Sequence, residues 1–169
     1  MTAPDRPGGL ERLWAGWRSD YVATPAADRD GDDGCAMCRV LRSDSYVVWR
    51  GTSCAAVLNA YPYATGHLLL VPARHVAELE DIDEVESAEL WATVQAAVRA
   101  LKEAYGPDGI NVGANLGESA GAGVPGHLHL HVLPRWTGDT NFMTTVAEVR
   151  VLPESLPTTY EKLRAAWPA

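Results

Sequence analysis

Positive charge and cysteine are both scarce in this chain. Lys and Arg number 14 against 22 Asp and Glu, giving a formal net charge of -8 and a pI near 5.0. Binding to a nucleic-acid backbone depends on cationic side chains that displace counterions, so nucleic acid is not expected as a partner. A small anion held in a local pocket stays compatible with this balance. Cysteine occurs three times, an odd number that does not suggest a disulfide framework. Reduced thiols and a cytoplasmic setting are expected instead. No apolar run approaches the roughly 20 residues of a membrane-spanning helix, and the segment from Met1 to Gly9 has no apolar core of the kind a secretory signal carries. No internal repeat or low-complexity segment is present. The length suits one domain with a substantial core.

Histidine is also scarce, but it is concentrated. Three of the five, His127, His129 and His131, fall in Gly126–Trp136 (GHLHLHVLPRW). A strand puts residues i, i+2 and i+4 on one face, so three imidazoles point one way and Leu128, Leu130 and Val132 the other. An ordinary strand face would carry Thr, Val or Lys. Three rings that titrate near neutrality suit nucleophilic or acid–base chemistry instead. Pro134 lacks an N–H, so pairing is expected to end near it.

The rest of the chain alternates apolar elements with turns. Leu10–Val22 spaces Leu10, Leu13, Trp14, Trp17 and Tyr21 as an amphipathic helix. A polar linker over 24–34 follows. Its Asp28, Asp30 and Asp32 open like a calcium loop, but Asp33 and Arg39 occupy the places of the required Gly and Glu, which excludes that reading. Strands are expected over 45–50, 54–59, 67–72 and 110–116, and a long helix over 83–105 stopped by Gly106-Pro-Asp-Gly109. A last helix runs from near Glu154 to Trp167. This order is not a regular βαβ alternation, so the expectation is α+β with a mainly antiparallel sheet of about five strands. We divide the chain into an N-terminal helix and linker (1–34), a central domain (35–152) and a C-terminal helix packed on it (153–169).

Cys35-x-x-Cys38 fits a redox pair, a capping coincidence or half a metal site. A redox pair would normally precede a helix, whereas this one follows a linker. If the strand ends carrying His75 and His127 meet, then Cys35, Cys38, His75 and His127 form a closed Cys2His2 set, and its zinc would be structural. Cys54 lies within an apolar strand and reads as core. The loop 117–126 matches neither a P-loop nor a dinucleotide fingerprint. Placed directly before the histidines, its glycines allow backbone N–H groups to approach an anion. Phosphate beside imidazole points to nucleotidyl transfer, with an imidazole nitrogen attacking phosphorus.

His127-Leu-His-Leu-His-Val-Leu133 resembles the signature of the histidine triad family. Asn59–His67, Pro72–His75 and Asn111–Gly121 resemble further blocks of that family, and Pro134–Phe142 resembles the segment that follows the triad in its actinobacterial diadenosine tetraphosphate phosphorylases. The resemblance implies the family fold, a homodimer formed by joining two sheets, and a nucleotidyl-histidine intermediate on His129. His131 would contact the phosphate, Asn59 the ribose hydroxyls, and Asn115 with Gly121 and Gly123 the phosphates. Related uridylyltransferases imply one zinc per chain on Cys35, Cys38, His75 and His127, with no organic cofactor. The sequence departs from many members at Ala122 and Gly123, where a Gln, Ser or Thr side chain is missing. The expected activity is phosphorolysis of diadenosine tetraphosphate to ADP and ATP. The alternatives are a hydrolase of dinucleoside polyphosphates or phosphoramidates, with water as acceptor, and a non-catalytic nucleotide-binding protein.

Overall fold

The computed structural model describes residues 34–139 and 152–168. The helix expected over 10–22 and the end of the Pro134–Phe142 segment lie outside them. The described elements are α1 (Ala36–Ser43), β1 (Val47–Arg50), β2 (Cys54–Leu58), β3 (Leu68–Pro72), α2 (Glu84–Tyr105), β4 (Gly109–Ala114), β5 (Leu130–Arg135) and α3 (Leu156–Ala166). Every neighbouring pair in the sheet is antiparallel, in the order β1-β2-β3-β5-β4. The fold is α+β. No helix among the described residues is long and apolar enough to cross a membrane.

Local chemistry sets the ends of the long helix. Asp83 accepts from the Glu86 backbone N–H while the Glu86 side chain accepts from the Asp83 N–H, a reciprocal capping box. Gly106 closes α2 in the left-handed region and donates its N–H to the Lys102 carbonyl. Between these caps Leu90, Val94, Ala97 and Leu101 recur at helical spacing and are buried. They pack on one face of the sheet with Leu58, Leu68, Leu70, Leu128, Leu130 and Val132. α3 closes this layer against α2 and β1.

The other face of the sheet is built differently. Ala55, Val57, Leu69 and Val71 lie under Leu41 of α1. Strands β2 and β3 are buried on both faces, which accounts for their unbroken apolar runs. Register then assigns the histidine strand. Leu68 pairs with Val132 and Leu70 with Leu130, whereas Leu69 pairs with His131. His131 therefore shares the α1 face with Leu69, and its alternate neighbours enter the leucine core.

Three differences from the sequence reading have physical reasons. α1 was not anticipated, because two turns hold too few apolar positions to show a period. It begins directly after Cys35, so the cysteine pair does precede a helix, and that argument against a redox pair falls. Ladder pairing of β5 starts only at Leu130, leaving His127 to His129 outside the ladder ahead of it. Pairing ends near Pro134 as expected: Pro134 pairs with Ile110, and Arg135 with Gly109 is the last pair. The β3 side of the ladder ends at Val132, so Pro134 is bordered by one strand and its missing N–H is tolerated there.

Gly66 connects the α2 layer to the histidine face. Its φ is +83°, and an added Cβ would lie 3.0 Å from Leu101 Cδ2, 3.2 Å from Tyr105 and 3.3 Å from Pro134. Gly66→Ala therefore adds left-handed strain to crowding and is expected to cost roughly 2–4 kcal/mol. Urea unfolding of the variant checks this; a midpoint equal to wild type would contradict the packing described.

Candidate active site and metal centre

Four residues from three segments meet at one end of β3. Cys35 and Cys38 flank the first turn of α1, His75 follows β3, and His127 precedes β5. One ligand atom from each lies within 4.8 Å of all the others. His127 Nδ1 is 3.4 Å from both Cys35 Sγ and Cys38 Sγ, and His75 Nδ1 is 3.3 Å from Cys38 Sγ. A tetrahedral zinc site has sulfur–nitrogen edges of about 3.5 Å, from Zn–S near 2.3 Å and Zn–N near 2.0–2.1 Å. The donor set and its spacing therefore fit a metal ion. His127 Nε2 lies 3.0 Å from the Pro72 carbonyl. A carbonyl only accepts, so Nε2 carries the proton and Nδ1 presents its lone pair to the cluster, the usual support of a metal-ligating histidine.

The loop presenting His75 is tied down from both sides. Arg74 grips Glu86 through two bonds of 2.9 and 2.7 Å and donates to the Asp81 carbonyl at 2.8 Å. The guanidinium, with the Asp83 N–H, pulls the Glu86 carboxyl down to about 2. On the other side Leu128 N–H donates to the Val76 carbonyl at 2.7 Å. The third cysteine takes no part: burial pushes the Cys54 thiol up to about 11, and its sulfur lies 3.2 Å from Thr93 Oγ1.

The remaining histidines continue along the same strand pair, with His129 next to the cluster and His67 paired with His131 farther on. His129 is 5% exposed, and its Nδ1 donates to the His127 carbonyl at 2.8 Å. Its Nε2 therefore carries the lone pair of the neutral ring. The Tyr63 backbone N–H donates to His67 Nδ1 at 3.1 Å, so the proton of neutral His67 sits on Nε2. That Nε2 is 2.8 Å from His131 Nδ1, which must accept. His131 Nε2 then holds the last proton of the series. It is buried and, among the described residues, makes no hydrogen bond. Burial, with His129 nearby, pushes His131 down to about 4, which keeps the ring neutral at pH 7. The Tyr63 ring covers this pair, 4.7 Å from the His67 centroid and nearly parallel to His131 at 5.9 Å.

A bare imidazole nitrogen thus stands beside a buried neutral N–H donor, with ring centroids 5.2 Å apart. That pairing suits attack on an electrophile that develops negative charge. His67 was not among the residues singled out in the sequence. The available signal was that His67 and His75 bracket one strand, so an antiparallel partner would meet both. Asn59 lies in this network: its Oδ1 accepts from the Tyr61 N–H at 2.9 Å and its Nδ2 is 3.2 Å from His67 Nδ1. Asn115 donates to the Gly121 carbonyl at 3.3 Å and so closes the glycine loop. It follows Ala114, which pairs with Leu130, so the β4 register continues toward His129. Gly123 is exposed and Ala122 is buried.

Comparison with known proteins agrees with this arrangement. A family model for the HIT domain matches residues 41–138. Over 165 residues the chain is 43% identical to a protein named AP-4-A phosphorylase from Mycobacterium tuberculosis H37Rv, covering 94% of this chain and 85% of that one. It is 33% identical over 95 residues to the asymmetrical bis(5'-nucleosyl)-tetraphosphatase of Schizosaccharomyces pombe, covering 56% of this chain and 52% of that one. The crystal structure of a Zn-bound histidine triad family protein from Mycobacterium smegmatis matches with a TM-score of 0.66 at 30% identity, over 80% of this chain and 94% of that one.

The protonation of His131 can be read directly. An NMR titration is expected to show it neutral at pH 6 and charged only near pH 4. The sign for stability follows. Between 6.5 and 4 the unfolded chain takes up a proton that the folded chain refuses, so stability contributed by this group is present above pH 6.5 and falls on acidification toward pH 4. A His131 titration near 6.5 would contradict the buried neutral donor.

Proposed function

The chain belongs to the HIT-domain family of nucleotide-processing enzymes, and from that premise we propose that it transfers a nucleotidyl group from a dinucleoside polyphosphate through His129. The single observation that carries this is the locked tautomer: Nδ1 of the buried His129 ring is held by the His127 carbonyl, which leaves the lone pair of the neutral ring on Nε2. The Nε2 lone pair attacks an α-phosphorus, and the bond from that phosphorus to the bridging oxygen breaks. Diadenosine tetraphosphate loses ATP in this step and leaves adenylyl-histidine. His131 Nε2–H donates to the oxygen on which charge develops, without changing its own protonation. Inorganic phosphate then attacks the same phosphorus, the P–N bond breaks, and ADP leaves. Asn59 contacts the ribose, while Asn115 and the backbone N–H groups at Gly121 and Gly123 hold phosphate oxygens.

Cys35, Cys38, His75 and His127 hold one zinc per chain. Four protein donors leave no open coordination position, so the metal braces the strand ends and supplies no reaction step. Two copies join through β4 (Gly109–Ala114), an edge strand whose residues are mostly exposed, Val112 by 42%. The setting is cytoplasmic. Phosphorolysis is favoured by the likeness to the mycobacterial phosphorylase across nearly the whole chain. Hydrolysis is the second reading, and one observation favours it: positions 122 and 123 offer no side-chain donor to an acceptor phosphate. A binding-only role leaves the prepared nitrogen of His129 without a purpose.

Products formed from diadenosine tetraphosphate decide between these. ADP with ATP, formed only when phosphate is supplied, is the expected result; AMP with ATP regardless of phosphate makes the protein a hydrolase. His129→Ala is expected to lower turnover by on the order of 10⁴-fold or more while the fold stays intact. Retained turnover would sink the covalent mechanism.

The metal assignment has its own test. Purified protein is expected to contain one zinc per chain. Cys38→Ala is expected to lose that zinc and about 5–10 °C in Tm, corresponding to roughly 3 kcal/mol. A zinc-free wild type that takes up none when zinc is added removes the assignment.

A further inference from the structure

We propose that Tyr63 is a positioning residue: its ring seals the His67–His131 pair from solvent and leaves the N–H of His131 unspent for a ligand. The inference rests on the reading of His131 as the neutral donor in nucleotidyl transfer. It extends that reading by naming the side chain that keeps the donor dry and available.

The two imidazoles lie deep although the loop over them is at the surface. His67 is fully buried and His131 is 9% exposed, whereas Tyr63 is 41% exposed. The Tyr63 ring, in contact with both imidazoles, is the boundary between the pair and water. Its orientation matters as much as its place. The ring is inclined 14° to His131 at 5.9 Å. An N–H lies in the plane of its own imidazole, so a nearly parallel cover excludes water without receiving that proton. An edge-on imidazole would have spent its N–H on the aromatic face. His131 Nε2 accordingly makes no hydrogen bond among the described residues. The cover is also one-sided. Gly113 of β4 pairs with His131 across the ladder, and nothing lies within 4 Å of the place its Cβ would take. Cross-strand partners share a face. The loop before β3 thus walls one side of His131, and Gly113 leaves a lane on the other.

The titratable groups that face His131 are His67 from just before β3, His129 from its own strand and Tyr63 from the loop. Its ladder partners, Leu69 and Gly113, carry no charge. Burial is the larger cause of its reluctance to protonate, ahead of His129. Removing the Tyr63 ring acts on that larger cause.

The test removes the ring and keeps the backbone, whose N–H fixes the His67 proton. Full-length ¹⁵N-labelled protein is titrated by NMR as wild type, Tyr63→Ala and Tyr63→Phe. In Tyr63→Ala, His131 is expected to titrate well above 4, toward 6.5. Tyr63→Phe should stay near the wild type, and His67 should keep its proton on Nε2 in both. A group of pKa 6.5 is about three-quarters charged at pH 6. Turnover of diadenosine tetraphosphate at pH 6, divided by that at pH 8, is therefore expected to fall by up to about four-fold in Tyr63→Ala relative to wild type. An unchanged His131 titration in folded Tyr63→Ala overturns the proposal. So does a Tyr63→Phe that rises with it, or a changed His67 tautomer, which would mean that the loop itself had moved. A shifted titration with an unchanged turnover ratio overturns the ring's part in the reaction. A wild type titrating near 6.5 overturns the neutral donor and the proposal together. A wild type without turnover overturns the transfer reading, and the titrations still decide the cover. If Tyr63→Ala does not fold, Tyr63→Leu, which keeps bulk without a flat face, is titrated in its place. A rise of about one unit or more then supports the proposal, and a smaller one overturns it.

Discussion

The antiparallel pairing of β3 with β5 is the constraint on which the site depends. β3 has one histidine before it and one after it; the triad leads into β5. Running the strands in opposite directions brings His67 to His131, 2.8 Å between ring nitrogens, and His75 to the cluster that includes His127. His129, between the two pairs, is left facing the His127 carbonyl. A parallel arrangement would have exchanged the partners and set the cysteine cluster against the donor end. A slip of one residue would have turned the imidazoles into the leucine core, since side chains alternate between faces. The leucines prevent that slip. Leu68, Leu70, Leu128, Leu130 and Val132 each gain about 1.5–3 kcal/mol on burial, and they are buried together only in the observed register.

The histidine network is ordered by the direction of its hydrogen bonds, not by charge. A backbone N–H opens one series and can only donate; a backbone carbonyl closes the other and can only accept. With both ends fixed, neutral rings have one proton arrangement between them. That arrangement leaves one lone pair, on His129, and one N–H, on His131. Close rings in a buried setting disfavour a cation, as the depressed His131 shows. Among the described residues the network is complete except at His131 Nε2, which is buried without a partner, and a partly unsatisfied buried polar network is costly unless something completes it.

Much of this was legible in the residues. Gly106-Pro-Asp-Gly109 marked the stop of the long helix, and the continuous apolar run of β3 marked a buried strand. The alternation of His with Leu separated the two faces even though only His131 lies within the paired strand. The cysteine–histidine set could be written from the sequence on one condition, that the ends after β3 and before β5 meet. What stayed hidden depended on pairing partners. α1 is too short for a period to emerge. The late start of β5 and the toleration of Pro134 follow from where β3 and β4 end. His67 carries no local mark and becomes part of the site only through register. Asn59 was expected at a ribose and lies beside His67, a position that serves the imidazole network as well as any ligand.

An acidic chain that handles an anionic substrate poses an electrostatic problem, and the site geometry offers an answer. The donors identified at the histidine face are neutral N–H groups aimed by their neighbours. A fixed cation would attract the polyphosphate strongly before reaction and nearly as strongly at the transition state, so much of its effect would be uniform binding. A neutral N–H in a water-excluded pocket interacts modestly with a spread ground-state charge and more strongly with charge that concentrates on one departing oxygen. It also leaves the lone pair of His129 free of a competing positive neighbour. In the mechanism proposed above, burial of His131 serves selectivity between ground and transition states. The unfavourable net charge of the chain, screened beyond about 8–10 Å at physiological ionic strength, acts on approach more than on the chemical step.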